Sequence, residues 1–117
     1  MGSTVDLSPG CRVIRPTGEL DILTAPSLCG DLARAQRNSQ IPYVIVDLLD
    51  VSFMDCSALG ALCAARAGCL DRAGWLRLVY ARRGIHLLLH SVDLTGVFPR
   101  YATVEAARQG LTSARPR

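Results

Sequence analysis

Apolar and polar positions along the chain follow two rhythms, and the switch between them marks out the elements. Around Cys11–Arg15 they alternate about Val13, which predicts a half-buried strand. A shorter strand near Thr4–Leu7 precedes it, and Ser8-Pro9-Gly10 supplies the turn of a hairpin. Gly18-Glu19-Leu20-Asp21 reads as a loop or strand end. Thr24 is placed to cap a helix with Ala25 and Pro26 in its first turn. That helix carries Leu28, Leu32 and Ala35 on one face and runs to about Asn38, with Ser39–Pro42 as connector. Tyr43–Leu48 is then a nearly unbroken apolar strand, the pattern of a central parallel strand covered on both faces.

The helical rhythm returns from about Ser57 to Arg72, and Gly74 ends it. Trp75–Tyr80 is the next strand and Arg83–Ser91 a third helix. A turn at Gly96, a short strand near Tyr101 and a last helix over about Thr103–Gln109 follow. Alternating strands and helices predict an α/β domain with a mixed β-sheet and about four α-helices. Which sheet face the crossover helices cover is left open at this level. Residues 1–117 read as one domain, its core about 5–110 and residues 111–117 a flexible tail.

Composition narrows the function classes. Half of the 117 residues are hydrophobic, so a core forms without disulfide staples. The longest apolar runs, such as Leu87-Leu88-Leu89, are too short to cross a bilayer, and Met1–Thr4 shows no secretory leader. Both point to the cytoplasm and against membrane insertion. The net charge of +3 is carried by arginine alone and is scattered, with Arg82-Arg83 the one adjacent pair, which argues against nucleic-acid binding. The five cysteines form no CxxC motif. Cys56 and Cys63, seven residues apart on a helix, are separated by about 10 Å, beyond the roughly 7 Å that a disulfide spans. Cys11 and Cys29 are free to meet; the simpler reading is that the thiols are small buried hydrophobes.

The stretch Asp55-Cys56-Ser57-Ala58-Leu59-Gly60 carries the candidate chemistry. It joins an apolar strand to an alanine-rich helix, so Ser57 stands where backbone N–H groups converge and negative charge is favoured by roughly 0.3–1 kcal/mol. Two readings are open: a phosphoacceptor hydroxyl, or a plain N-cap in which Asp55 or Ser57 accepts from a first-turn N–H.

Two segments together resemble the STAS domain, in the form found in bacterial anti-sigma factor antagonists. One is Thr17-Gly18-Glu19-Leu20-Asp21 with Thr24-Ala25; the other is Val44–Leu48 followed by Val51–Gly60. The likeness spans about Val5–Gly110. It implies a partner switch. An unphosphorylated antagonist binds an anti-sigma factor that is also a serine kinase and frees the sigma factor. Phosphorylation at the helix start releases the antagonist, and a serine phosphatase restores it. By position, the resemblance makes Ser57 the phosphorylated residue, with Asp21 and Asp55 as the acids beside it. Cys56 and Ala58 depart from the serine and glycine frequent in the family, so Ser57 is the only hydroxyl of the motif. Cys56, Ala58, Leu59, Ala61 and Leu62 are the expected neighbours of the phosphosite and contact residues for the partner, with Arg66 and Arg72 as the solvated remainder if the helix is buried on two sides.

Two other functions compete: an accessory subunit of a membrane lipid or solute transporter, and a redox-regulated antagonist. His86 and His90 have the i, i+4 spacing of a zinc pair but lack a third ligand and an H-E-x-x-H pattern. No nucleophile elbow, P-loop or dinucleotide motif occurs. No metal, cofactor or catalytic activity is expected.

Overall fold

The computed structural model describes residues 3–6, 10–37 and 40–114. In chain order the elements are β1 (Ser3–Asp6), β2 (Arg12–Pro16), β3 (Gly18–Leu20), α1 (Ala25–Arg37), β4 (Tyr43–Asp47), β5 (Val51–Met54), α2 (Cys56–Asp71), β6 (Trp75–Val79), α3 (Arg83–Ser91), β7 (Arg100–Tyr101) and α4 (Val104–Gln109). β1, β2, β4, β6 and β7 form a five-stranded sheet in that order. β1 is antiparallel to β2, and the other neighbours are parallel, so the sheet is mixed as expected.

Val44, Ile45 and Val46 of β4 have no exposed surface, because helices cover both sheet faces. Ile14, Val44, Val46 and Leu78 pack with α1, α2 and α3 in the larger core. Val13, Ile45, Val79 and Tyr101 point to the other face and pack with Ala107 of α4. The question of faces is thus answered by the pleat: alternate residues of one apolar run serve two cores. The smaller core is edged by the Tyr43–Trp75 pair, ring centroids 5.1 Å apart. Arg77 lies 3.8 Å over the Trp75 ring and donates to the Ala107 carbonyl at 2.8 Å, fixing the end of α4.

Several expectations are corrected. β3 and β5 pair in parallel as a separate two-stranded sheet, with a bulge between Gly18 and Glu19. Val51–Met54 was expected only as part of a motif and Gly18–Leu20 as a loop or strand end. In β5, Val51 and Met54 point inward while Ser52 and Phe53 lie outside, so the short strand lacks a period-2 signature. Thr24 stands at the mouth of α1, but its hydroxyl turns back into the loop: it accepts from the Asp21 N–H and donates to the Glu19 carbonyl, each at 2.9 Å. Arg72 is exposed, as expected, and also donates to the carbonyls of Gln36 and Gln40, tying α2 to the end of α1. Within the expected tail, the Ser113 N–H donates to the Arg100 carbonyl, and the Arg100 guanidinium donates to the Ala114 carbonyl, both at 2.8 Å. Leu7 of the expected first strand, Ser8 and Pro9 of the expected Ser8-Pro9-Gly10 turn, Asn38 at the expected helix end, Ser39 of the expected connector and the last three residues lie outside the described residues.

The end of α2 assigns its two small residues different tasks. Ala73, not Gly74, takes the left-handed conformation that turns the chain (φ 64°). Gly74 is needed for space, since a Cβ there would lie 1.9 Å from the Pro42 carbonyl oxygen. Gly74→Ala is therefore expected to destabilise the fold by about 2–4 kcal/mol, because backbone must move to admit it. Ala73→Gly is expected to stabilise by about 0.5–1 kcal/mol by removing the left-handed penalty. Urea unfolding of the two variants checks both signs.

Candidate functional site

β5 delivers the chain to the start of α2, and Asp55 fastens that junction. Its backbone is extended (φ −114°, ψ −175°), and its Oδ1 accepts from the Ser57 N–H at 2.8 Å. Its own N–H donates to the Leu20 carbonyl at 3.0 Å, and its carbonyl accepts from the Leu59 N–H at 3.3 Å. Asp55 is the N-cap, so Ser57 has no capping duty. The Ser57 hydroxyl is half-buried and makes no hydrogen bond among the described residues.

Asp21 arrives at the same edge through the β3–β5 pairing, where Leu20 is in register with Met54. Its Oδ1 accepts from the N–H groups of Leu23 (2.9 Å) and Thr24 (3.2 Å), closing a turn that presents Ile22 and Leu23 outward. Those two side chains are 73% and 85% exposed, and Phe53 is 52% exposed. A groove of about 510 Å³ is lined by Ser52, Phe53 and Met54 on one wall and Arg82, Arg83 and Ile85 on the other.

Asp21, Asp55, Cys56 and Ser57 are thus brought to one edge. The helix interior is different. Ala58, Leu59, Ala61 and Leu62 are buried in the domain's own core, so they do not face a partner in this conformation. The exposed positions of α2 beyond Cys56 are Gly60, Ala64, Ala67, Leu70 and Asp71. α2 is apolar around most of its circumference, and from the sequence no face stands out. The exposure of Ile22, Leu23 and Phe53 was not anticipated from the sequence. Their signal was large apolar side chains amid loop-forming polar neighbours.

All five cysteines are free: Cys11 and Cys69 buried, Cys63 half-buried, Cys29 and Cys56 exposed. The reading of small buried hydrophobes holds for the first two alone. Burial pushes the Cys69 thiol up to about 11, against the opposing pull of Arg72. Among the described residues no three His, Cys, Asp or Glu side chains gather to hold a metal ion, and no helix is long and apolar enough to cross a membrane.

The chain belongs to the STAS domain family, whose profile matches residues 3–107. Solved structures show the same fold. An anti-sigma factor antagonist from Mycobacterium paratuberculosis is 24% identical, with a TM-score of 0.81 over 94% of this chain and 92% of that one. The anti-sigma factor antagonist SpoIIAA in its unphosphorylated form is 19% identical, with a TM-score of 0.78 over 93% of this chain and 96% of that one. The phosphorylated form of SpoIIAA, a Bacillus cell fate determinant, is also 19% identical, with a TM-score of 0.71 over 93% and 99%. These neighbours share the STAS fold.

Two outcomes are expected from this geometry. Asp55→Ala, which leaves the Ser57 N–H without its cap, is expected to lower stability by about 0.5–2 kcal/mol, read by thermal or urea unfolding. Iodoacetamide at about pH 8.5, near the ordinary thiol pKa, is expected to label Cys29 and Cys56 first. Cys11 and Cys69 are expected to react only on unfolding, and peptide mass mapping over time checks the order.

Proposed function

We propose that this chain is an anti-sigma factor antagonist working as a partner switch. Unphosphorylated, it binds an anti-sigma factor with serine kinase activity and so frees a sigma factor. Phosphorylation of Ser57 releases it, and a serine phosphatase resets it. The chain supplies a surface and an acceptor hydroxyl, and no reaction of its own is assigned.

The observation that carries this reading is Ser57 itself. Its hydroxyl is uncommitted and accessible at the first turn of α2, capping is performed by Asp55, and the rim bears exposed Ile22, Leu23 and Phe53. Phosphorylation adds about −1.5 to −2 charges and three acceptor oxygens. A helix N-terminus tolerates that charge, so the domain stays folded. The cost falls on the complex: a solvated dianion beside Asp55 opposes burial of the apolar rim against a partner. A loss of roughly 3 kcal/mol of binding is a loss of about two orders of magnitude in affinity.

Intact-mass spectrometry after incubation with ATP and the serine kinase-type anti-sigma factors of the same genome tests the reading. One phosphate on the wild type and none on Ser57→Ala is the expected result. Ser57→Asp is expected to bind the kinase about 100-fold more weakly, measured by calorimetry. Absence of phosphate with every such kinase, or wild-type affinity in Ser57→Asp, overturns it.

A further inference from the structure

The groove between β5 and the start of α3 has walls of two kinds. Met54 and Ile85, nearly buried, and Phe53, 52% exposed, make it apolar on one side. Arg82 and Arg83 make it cationic on the other. Both arginines are exposed, and neither guanidinium makes a hydrogen bond or ion pair among the described residues. No carboxylate is among the described residues that line the groove.

These two cations stand where a helix least favours them. Arg82 is the N-cap of α3 and Arg83 its first residue. The Arg82 side chain makes no cap hydrogen bond, and the first turn carries no acid. A helix N-terminus bears partial positive charge and favours carboxylates, so both guanidiniums are held against the dipole. Ser, Thr, Asp or Asn is the usual residue at an N-cap. Sequences break a local rule of this kind chiefly at functional sites. Other arginines of the chain are committed. Arg15 and Arg34 pair with Asp47 and Asp31, while Arg77 and Arg100 donate to backbone carbonyls. Arg82-Arg83 is also the one adjacent pair in a chain of otherwise scattered charge.

We propose that this groove docks an acidic segment of the protein partner, one that sets an apolar side chain against Phe53, Met54 and Ile85 and carboxylates against Arg82 and Arg83. The proposal rests on the antagonist reading and deepens it by naming the chemistry of the partner. The partner's carboxylates supply the counter-charge that both guanidiniums and the start of α3 lack. The groove is continuous along the chain with the phosphosite, since β5 runs from Phe53 and Met54 straight into Asp55 and Ser57. A phosphate on Ser57 adds negative charge beside the docked carboxylates, which gives release an electrostatic cause. A second copy of this chain is a poor occupant, because it brings the same net charge of +3 to the contact.

Calorimetry of the full chain with the serine kinase-type anti-sigma factors of the same genome tests the proposal, with thermal unfolding of each variant alongside. Arg82→Gln/Arg83→Gln is expected to bind roughly tenfold more weakly. The same variant is expected to melt at an equal or higher temperature, because two cations leave the positive end of α3. Phe53→Ser is expected to bind roughly tenfold more weakly as well. Wild-type affinity is expected to fall between about 50 and 300 mM NaCl, and that of the double arginine variant to change little. A kinase bound by the wild type with unchanged affinity for both variants overturns this docking mode and leaves the antagonist reading standing. A lower melting temperature in the double arginine variant overturns it too, since the arginines then serve the fold. If the wild type binds none of these kinases, the antagonist reading falls and this inference with it. A dimer of the chain alone in sedimentation, lost in the double arginine variant, gives the groove to a second copy and also overturns the proposal.

Discussion

Everything in this fold depends on burying β4 from both sides. Val44, Ile45 and Val46 are fully buried in succession, and a strand with no solvent-facing side must have helices above and below it. Parallel pairing with β2 and β6 then requires crossover connections, which α1 and α2 provide. Right-handed crossovers at successive strands stack α1, α2 and α3 on one face, and α4 closes the other. The position of α2 is thus a consequence of sheet burial, and its N-terminus emerges near the carboxyl end of the central strand, where α/β folds place their ligand and contact sites.

The small β3–β5 sheet converts that helix mouth into a site. β3 comes from the stretch before α1 and β5 from the stretch after β4, and their pairing places Leu20 beside Asp55. A single carboxylate at Asp55 satisfies the first turn, which frees the neighbouring Ser57 hydroxyl for other chemistry. A second carboxylate, Asp21, shapes the loop that carries the exposed apolar pair. Both acids act as backbone acceptors.

α3 links the two concave regions of the surface. Arg83 and Ile85 in its first turn line the groove beside β5, while His86 and His90 on its following turns line a second, polar cavity. The C-terminal segment completes that cavity because Arg100 reaches Ala114 and Arg77 holds the end of α4. Arginine serves in each case as a clamp on backbone carbonyls, a role its planar, always charged fork suits. The chain has no lysine, and Arg72, Arg77 and Arg100 all serve as such fasteners.

The sequence by itself determined the elements with strong periodicity or strong punctuation. Tyr43–Leu48 and Trp75–Tyr80 were legible as strands because continuous apolar β-formers have few alternatives, and α1 because Leu28, Leu32 and Ala35 recur at helical spacing. The Asp55–Gly60 motif with the Gly18–Asp21 loop was enough to indicate the family. β5 was not legible as a strand, since four residues with only the two ends buried match no period. Nor could α2 reveal which of its apolar positions were core: Leu59 and Leu62 pack inward while Leu70 is exposed, and a helix apolar on most sides has no internal sign of orientation. The fates of Phe53, Arg72 and Arg100 were decided by contacts between segments distant in sequence. Periodicity reports how a segment is coiled or pleated; only packing decides what each of its faces meets.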